Sequence, residues 1–140
     1  MELNIRRLQS KDWKTLCEWW KEWDFDFVPS KDFLPDNGTG GLIVETKNGV
    51  GICSVFMYTT NSKVCQVNWP LSNIKFREKQ VKDKAFKLLF LGVKNMWKRH
   101  HGKYLMFYGE NKTIKFQERL EDAGFIKTDD NTYSALIQKI

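Results

Sequence analysis

The chain has 140 residues, which suits one domain with a real core. Hydrophobic residues make up 41% and charged residues 29%, ordinary for a globular protein, and no apolar run nears the ~20 residues of a membrane span. The net charge of +6 permits phosphate-rich partners without identifying them.

Leu3 to Leu8 alternates apolar and polar residues and predicts a strand. Ser10 is placed to cap a helix from about Lys11 to Trp23, with Trp13, Leu16, Cys17 and Trp20 as its inward stripe. Trp19 and Trp23 fall towards its edges. Phe25 to Pro35 has no clean period, and its aromatic residues are expected to pin it to the body. Asp36-Asn37-Gly38-Thr39-Gly40-Gly41 is rich in turn formers. It precedes a strand rather than a helix, so it reads as a turn and not as a phosphate loop.

Leu42 to Thr46 and Val50 to Tyr58 form a hairpin about Asn48-Gly49. Asn61-Ser62 turns the chain into a third strand, Lys63 to Leu71. Pro70 cannot donate to a ladder, so that strand must end bulged, at an edge, or splayed from its neighbour. A polar turn from Ser72 to Gln80 leads into the longest helix. Its apolar positions are Val81, Ala85, Leu88, Leu89, Val93 and Met96, widened by Phe86, Phe90 and Trp97. Between Arg77 and Arg99 lie eight Lys or Arg and two acids, Glu78 and Asp83. The unit therefore carries the positive charge of the chain. A strand turning into a helix aims free N–H groups and the positive end of the dipole at the turn, which favours an anion such as phosphate. A solvated basic face explains the same charge pattern.

Lys103 to Tyr108 is a short apolar run whose position after a helix predicts a parallel crossover beside the Lys63 strand. Asn111 opens a helix from about Lys112 to Ala123, stopped by Gly124. Phe125 to Asp129 and Thr132 to Ile140 are the last strands. The expected fold is a single mixed α/β domain over residues 1–140, mostly antiparallel, with one parallel βαβ crossover and flanking helices.

Cys17, Cys53 and Cys65 sit among apolar residues without a C-x-x-C pair and read as reduced, buried thiols. His100 and His101 are adjacent, so on a helix they point about 100° apart and do not share a metal. No metal site is expected. The start, Met1-Glu2-Leu3-Asn4, lacks a signal-peptide pattern, so a cytoplasmic protein is expected.

This order of elements, with a splayed strand leading into a phosphate-facing turn and helix, resembles the GNAT superfamily of N-acetyltransferases. The family's mark at that turn is R/Q-x-x-G-x-G/A. Here it reads Arg77-Glu78-Lys79-Gln80-Val81-Lys82, with the arginine kept and both glycines replaced. A second mark is an Asn opening the next helix and a final Y-x-x-x-G-F. Asn111 and Gly124-Phe125 match, while the tyrosine position holds Leu120. The turn sequence and the Pro35–Gly41 segment are most similar to small phage-encoded members, for which the host cytoplasm is the expected location.

The resemblance implies acetyl-CoA as co-substrate and direct transfer of the acetyl group to an amine acceptor. Trp69, Leu71 and Ser72 would pair with the pantetheine arm as an added strand. Arg77, Glu78, Lys79, Gln80, Val81 and Lys82 would take the pyrophosphate, and Asn111 would seat the arm from the other side. The N–H of Leu71 would polarise the thioester oxygen. Gln66 and Asn68 cannot act as bases, which leaves Glu110 and Tyr108 as candidates for proton transfer. The acceptor would lie near Trp19, Trp23 and Phe25 to Phe33. The missing glycines and Leu120 equally allow a catalytically silent domain of this fold that binds CoA or a partner. A third reading, a basic nucleic-acid or virion-associated protein, rests on charge alone, since no nucleic-acid motif is present.

Overall fold

The computed structural model describes residues 1–110, 114–128 and 133–140. The cap expected at Asn111 and the turn at Asp130-Asn131 lie outside the described residues.

The described residues form seven strands and three α-helices: β1 (Leu3–Arg7), α1 (Trp13–Glu22), β2 (Gly41–Thr46), β3 (Gly51–Thr59), β4 (Val64–Ser72), α2 (Lys79–Arg99), β5 (Tyr104–Glu110), α3 (Ile114–Asp122), β6 (Ile126–Lys127) and β7 (Tyr133–Lys139). One sheet holds all the strands in the order β1-β2-β3-β4-β5-β7-β6. Every pairing is antiparallel except β4 with β5. The mixed α/β architecture and its single parallel crossover are as expected from the sequence.

Alternation along the strands divides the core in two. Leu42, Val44, Cys53, Val55, Cys65 and Val67 face α2 and α3, packing on Ala85, Phe86, Leu89, Phe90, Val93 and Leu120. Ile43, Phe56 and Leu71 face α1, packing on Leu16, Trp19 and Trp20. The stripe of α2 is rotated from the expected one. Phe86, Phe90 and Trp97 are buried, whereas Val81, Leu88 and Met96 are only half-buried. The larger rings take the sheet contact because they remove more apolar area from water.

Three local expectations are corrected. Ser10 does not cap the first helix; it starts a short 3-10 turn, and the Asp12 carboxylate accepts from the Gln9 N–H at 2.8 Å. Trp19 is buried rather than at an edge, and it lies over Gly51, where an added Cβ would meet the indole at 2.9 Å. The strand expected over Phe125 to Asp129 contracts to Ile126–Lys127. The Pro35–Gly41 segment is a turn as read, closed by Gly40 N–H donating to Pro35 C=O at 2.9 Å.

Arg6 ties β1 to β2 and to the entry of α1. It donates to both Asp12 oxygens at 2.8 and 2.9 Å and to both Glu45 oxygens at 3.0 and 3.2 Å. Burial pushes the Asp12 carboxyl up, but Arg6 and the Gln9 N–H outweigh it and hold the group below its ordinary value. Arg6 likewise holds Glu45 low. A carboxylate with a depressed folded-state pKa contributes stability above its unfolded pKa and loses it as the pH falls. We therefore expect Arg6→Met to cost about 3 kcal/mol in urea unfolding at pH 7, since it strands two acids. We expect the wild-type advantage to fade as the pH drops below about 4. An Arg6→Met variant as stable as wild type at pH 7 contradicts this account.

Candidate functional site

The parallel pairing of β4 with β5 covers only Val64–Gln66 against Tyr104–Met106, although β4 continues to Ser72 and β5 to Glu110. Beyond Gln66 the two strands diverge. The cause lies on β4. Its register with β3 shifts so that Trp69 and Pro70 together oppose Val55, a bulge of one extra residue. Trp69 adopts φ +56°, a left-handed conformation uncommon for a bulky side chain. A bulge bends its strand and sharpens the local twist, which carries β4 away from β5. Of the three placements that Pro70 allowed, the structure combines the bulge with the splay.

The opened wedge is a cavity of about 310 Å³ lined by Trp23, Phe25, Pro70, Leu71, Ser72, Lys82, Phe86, Phe116 and Arg119. Its floor is aromatic, with Phe116 edge-on to Phe86 and Phe107 at centroid distances of 6.2 and 5.4 Å. A second cavity of about 350 Å³ lies at the start of α2, lined by Ile74, Phe76, Arg77, Lys79, Lys82 and Arg119. Lys82 and Arg119 line both, so the two adjoin. Lys79, Gln80 and Val81 occupy the first turn of α2, whose N-cap, Glu78, makes no side-chain cap bond. Arg77, Glu78, Lys79 and Gln80 are exposed, whereas Lys82 is half-buried. The splayed strand edge and the start of α2 thus border two adjoining cavities.

One backbone assignment changes. Asn73 N–H donates to Ile52 C=O at 2.8 Å. Antiparallel pairs alternate between bonded and non-bonded, so Ser54 and Leu71, two steps along, are also a bonded pair. The Leu71 N–H is therefore spent on β3, and the Leu71 side chain is buried against α1. The amide turned to the wedge is that of Ser72. Pro70 faces the same way but has no N–H. By this register the Leu71 N–H faces β3 and the Ser72 N–H faces the wedge. The Ser72 carbonyl accepts from the Trp23 indole N–H at 2.7 Å, which also fixes the segment after α1 over the wedge.

On the α1 face, Phe27, Phe33 and Trp69 pack as three rings at 5.6 to 6.0 Å. The Trp69 indole N–H donates to the Tyr58 hydroxyl at 3.0 Å, which donates to Phe33 C=O at 3.2 Å. The side chain of Trp69, whose main chain belongs to the strand edge expected to take the cofactor, packs in this aromatic cluster. Tyr108 is 52% exposed on β5. Glu110 ends β5, and its side chain lies outside the described residues, as does Asn111. Leu120, at the family's tyrosine position, is wholly buried in the main core. Arg119 beside it faces the cavities, and nothing in the helical periodicity singled it out.

Burial pushes the Cys65 thiol up to about 12 and raises Cys53 and Cys17 as well, so these free cysteines are poor nucleophiles. Among the described residues no group of three or more His, Cys, Asp or Glu is placed to hold a metal, and no helix is long and apolar enough to cross a membrane.

The register assignment is checked by amide hydrogen exchange. We expect the Leu71 N–H to exchange slowly, with β3, and the Ser72 N–H to exchange at least tenfold faster, because its edge is unpaired. Slow exchange at both amides contradicts an open edge.

No family model matches the chain, and no curated protein does. Solved structures do match in fold. A GCN5-related N-acetyltransferase from Kribbella flavida superposes with TM-score 0.78 at 10% identity, over 99% of this chain and 98% of that one. The PaiA N-acetyltransferase from Thermoplasma acidophilum, solved in complex with coenzyme A, gives 0.73 at 13% identity over 100% of both chains. N-acetylglutamate synthase from Neisseria gonorrhoeae, complexed with coenzyme A and N-acetyl-glutamate, gives 0.74 at 11% identity over 99% of this chain. The present chain spans only 35% of that synthase. At such identities the likeness concerns architecture: this chain has the fold of the GNAT acetyltransferases.

Proposed function

We propose that this protein is an acetyl-CoA-dependent N-acetyltransferase that moves an acetyl group directly to an amine. The observation that carries the reading is the parallel pair that parts after three positions and opens towards the positively charged start of α2. A pantetheine arm is long, thin and amide-bearing, and it fits an unpaired strand edge as an added strand. The Ser72 N–H is the donor available on that edge. The aromatic floor of Phe86 and Phe116 suits the apolar stretches of the arm. Arg77, Lys79 and Lys82, with the first amides of α2, suit a diphosphate. Gln80 and Lys82 stand where the family has glycines, so charge on Lys82 replaces close backbone approach. Asn111 is proposed to seat the arm from the β5 side.

The acetyl thioester supplies the electrophile. The chain's own groups orient it, exclude water and move protons. The Ser72 N–H donates to the thioester oxygen, where charge develops on attack. Glu110 takes a proton from the amine, directly or through water, and Tyr108 returns one to the departing thiolate. An acyl-cysteine route has no support, because the thiols are held protonated. The acceptor lies on the α1 face, between the Phe27-Phe33-Trp69 cluster and the wedge. Asn68 Oδ1 is buried there without a partner among the described residues and can accept from an amine N–H.

A second reading, a silent CoA-binding domain, is favoured by one observation. Leu120 is buried and brings no hydroxyl to the site. Release of free CoA thiol from acetyl-CoA with a panel of amines separates the two readings. We expect release, and we expect Glu110→Gln to lower kcat at least a hundredfold while CoA still binds. CoA at a hundredfold excess over its Kd should stabilise the fold by about 2.7 kcal/mol and raise Tm by several degrees. Arg77→Glu should abolish that shift. No shift at millimolar CoA sinks both readings.

A further inference from the structure

Arg119 alone lines three hollows: the wedge, the cavity at the start of α2, and a groove of about 440 Å³ between α2 and α3. Its side chain is only 15% exposed. The guanidinium lies over the Phe86 ring at 4.5 Å, and its Nε and Nη2 donate to Asp83 Oδ1 at 3.3 and 3.0 Å. Nη1 makes no bond among the described residues. The fork is thus fixed by stacking on one side and a carboxylate on another, with one arm left to bind. Arginine suits this position because its planar donors recognise phosphate oxygens in two dimensions, and its charge persists when half-buried.

We propose that Arg119 binds the CoA diphosphate from α3, opposite the start of α2, at the seam between the diphosphate cavity and the wedge. This rests on the acyl-CoA reading above and adds a residue that the turn motif does not contain. The physical need is local. The glycine positions of the turn hold Gln80 and Lys82, so the backbone cannot close on the diphosphate as glycines allow. A cation entering from the far side supplies the missing contacts. Asp83 does not touch the ligand, and an asparagine oxygen in its place would still accept from Nε and Nη2. Because Arg119 sits on α3 and stacks on α2, an occupied site also ties the two helices together across the mouth of the wedge.

The test compares two probes by titration at fixed ionic strength: CoA, and pantetheine, which has the arm but no diphosphate. We expect Arg119→Gln to weaken CoA at least tenfold and to leave pantetheine within twofold. Asp83→Asn should bind CoA at least as well as half the wild-type affinity. The double variant Asp83→Asn/Arg119→Gln, which leaves no charge unpaired, should repeat the selective loss of Arg119→Gln. An equal loss for both probes makes Arg119 a structural residue and overturns the inference. So does an Arg119→Gln variant with unchanged CoA affinity, or an Asp83→Asn variant as impaired as Arg119→Gln. Wild-type protein that binds neither probe overturns the acyl-CoA reading itself, a result distinct from these.

Discussion

One extra residue in β4 organises the molecule. Trp69 and Pro70 occupy the space of a single partner on β3, and the strand bends there. The parallel ladder to β5 stops at Gln66, so the main-chain groups beyond it on that side have no partner strand. Unpaired strand edges are normally covered or charged, because they template further pairing. Here the edge faces inward, roofed by Trp23 and Phe25 and floored by Phe86 and Phe116. The strained φ of Trp69 belongs to this arrangement. A left-handed conformation in a bulky residue persists only where its surroundings hold it, and the Tyr58, Phe27 and Phe33 contacts do so.

The two faces of the sheet divide the work. α2 and α3 bury the larger core and bring Lys82, Phe86, Phe116 and Arg119 to one side of the wedge. α1 and the segment after it bury the smaller core and bring aromatic rings to the other. The charge is divided likewise. Between Glu18 and Asp36 there are six acids and two lysines, whereas the start of α2 is basic. Under the acetyltransferase reading proposed above, this division would draw an anionic co-substrate to one end of the hollow and a cationic amine to the other.

Departures from the family pattern become intelligible in space. Leu120 fills core volume, so a tyrosine there would need the core to open around its hydroxyl. Lys82, at a glycine position of the family pattern, is half-buried at the junction of two cavities. Arg119, held by Asp83 and Phe86, lines the same two cavities from α3.

Local chemistry in the sequence determined the elements themselves. Leu3–Leu8 alternates, Asn48-Gly49 turns, the Val81–Trp97 stripe recurs at helical period, and Pro70 forbids an ordinary ladder. These features depend on neighbours within a few residues and are readable without coordinates. The tertiary structure alone decided which amide faces the wedge, because that parity depends on where β3 absorbs the extra residue of β4. It also decided that Trp19 is buried, since Gly51 on another strand makes the room. The surroundings of Arg119 were set in the same way: its partners, Asp83 and Phe86, are more than thirty residues distant in sequence, and only the packing of α3 on α2 brings them together.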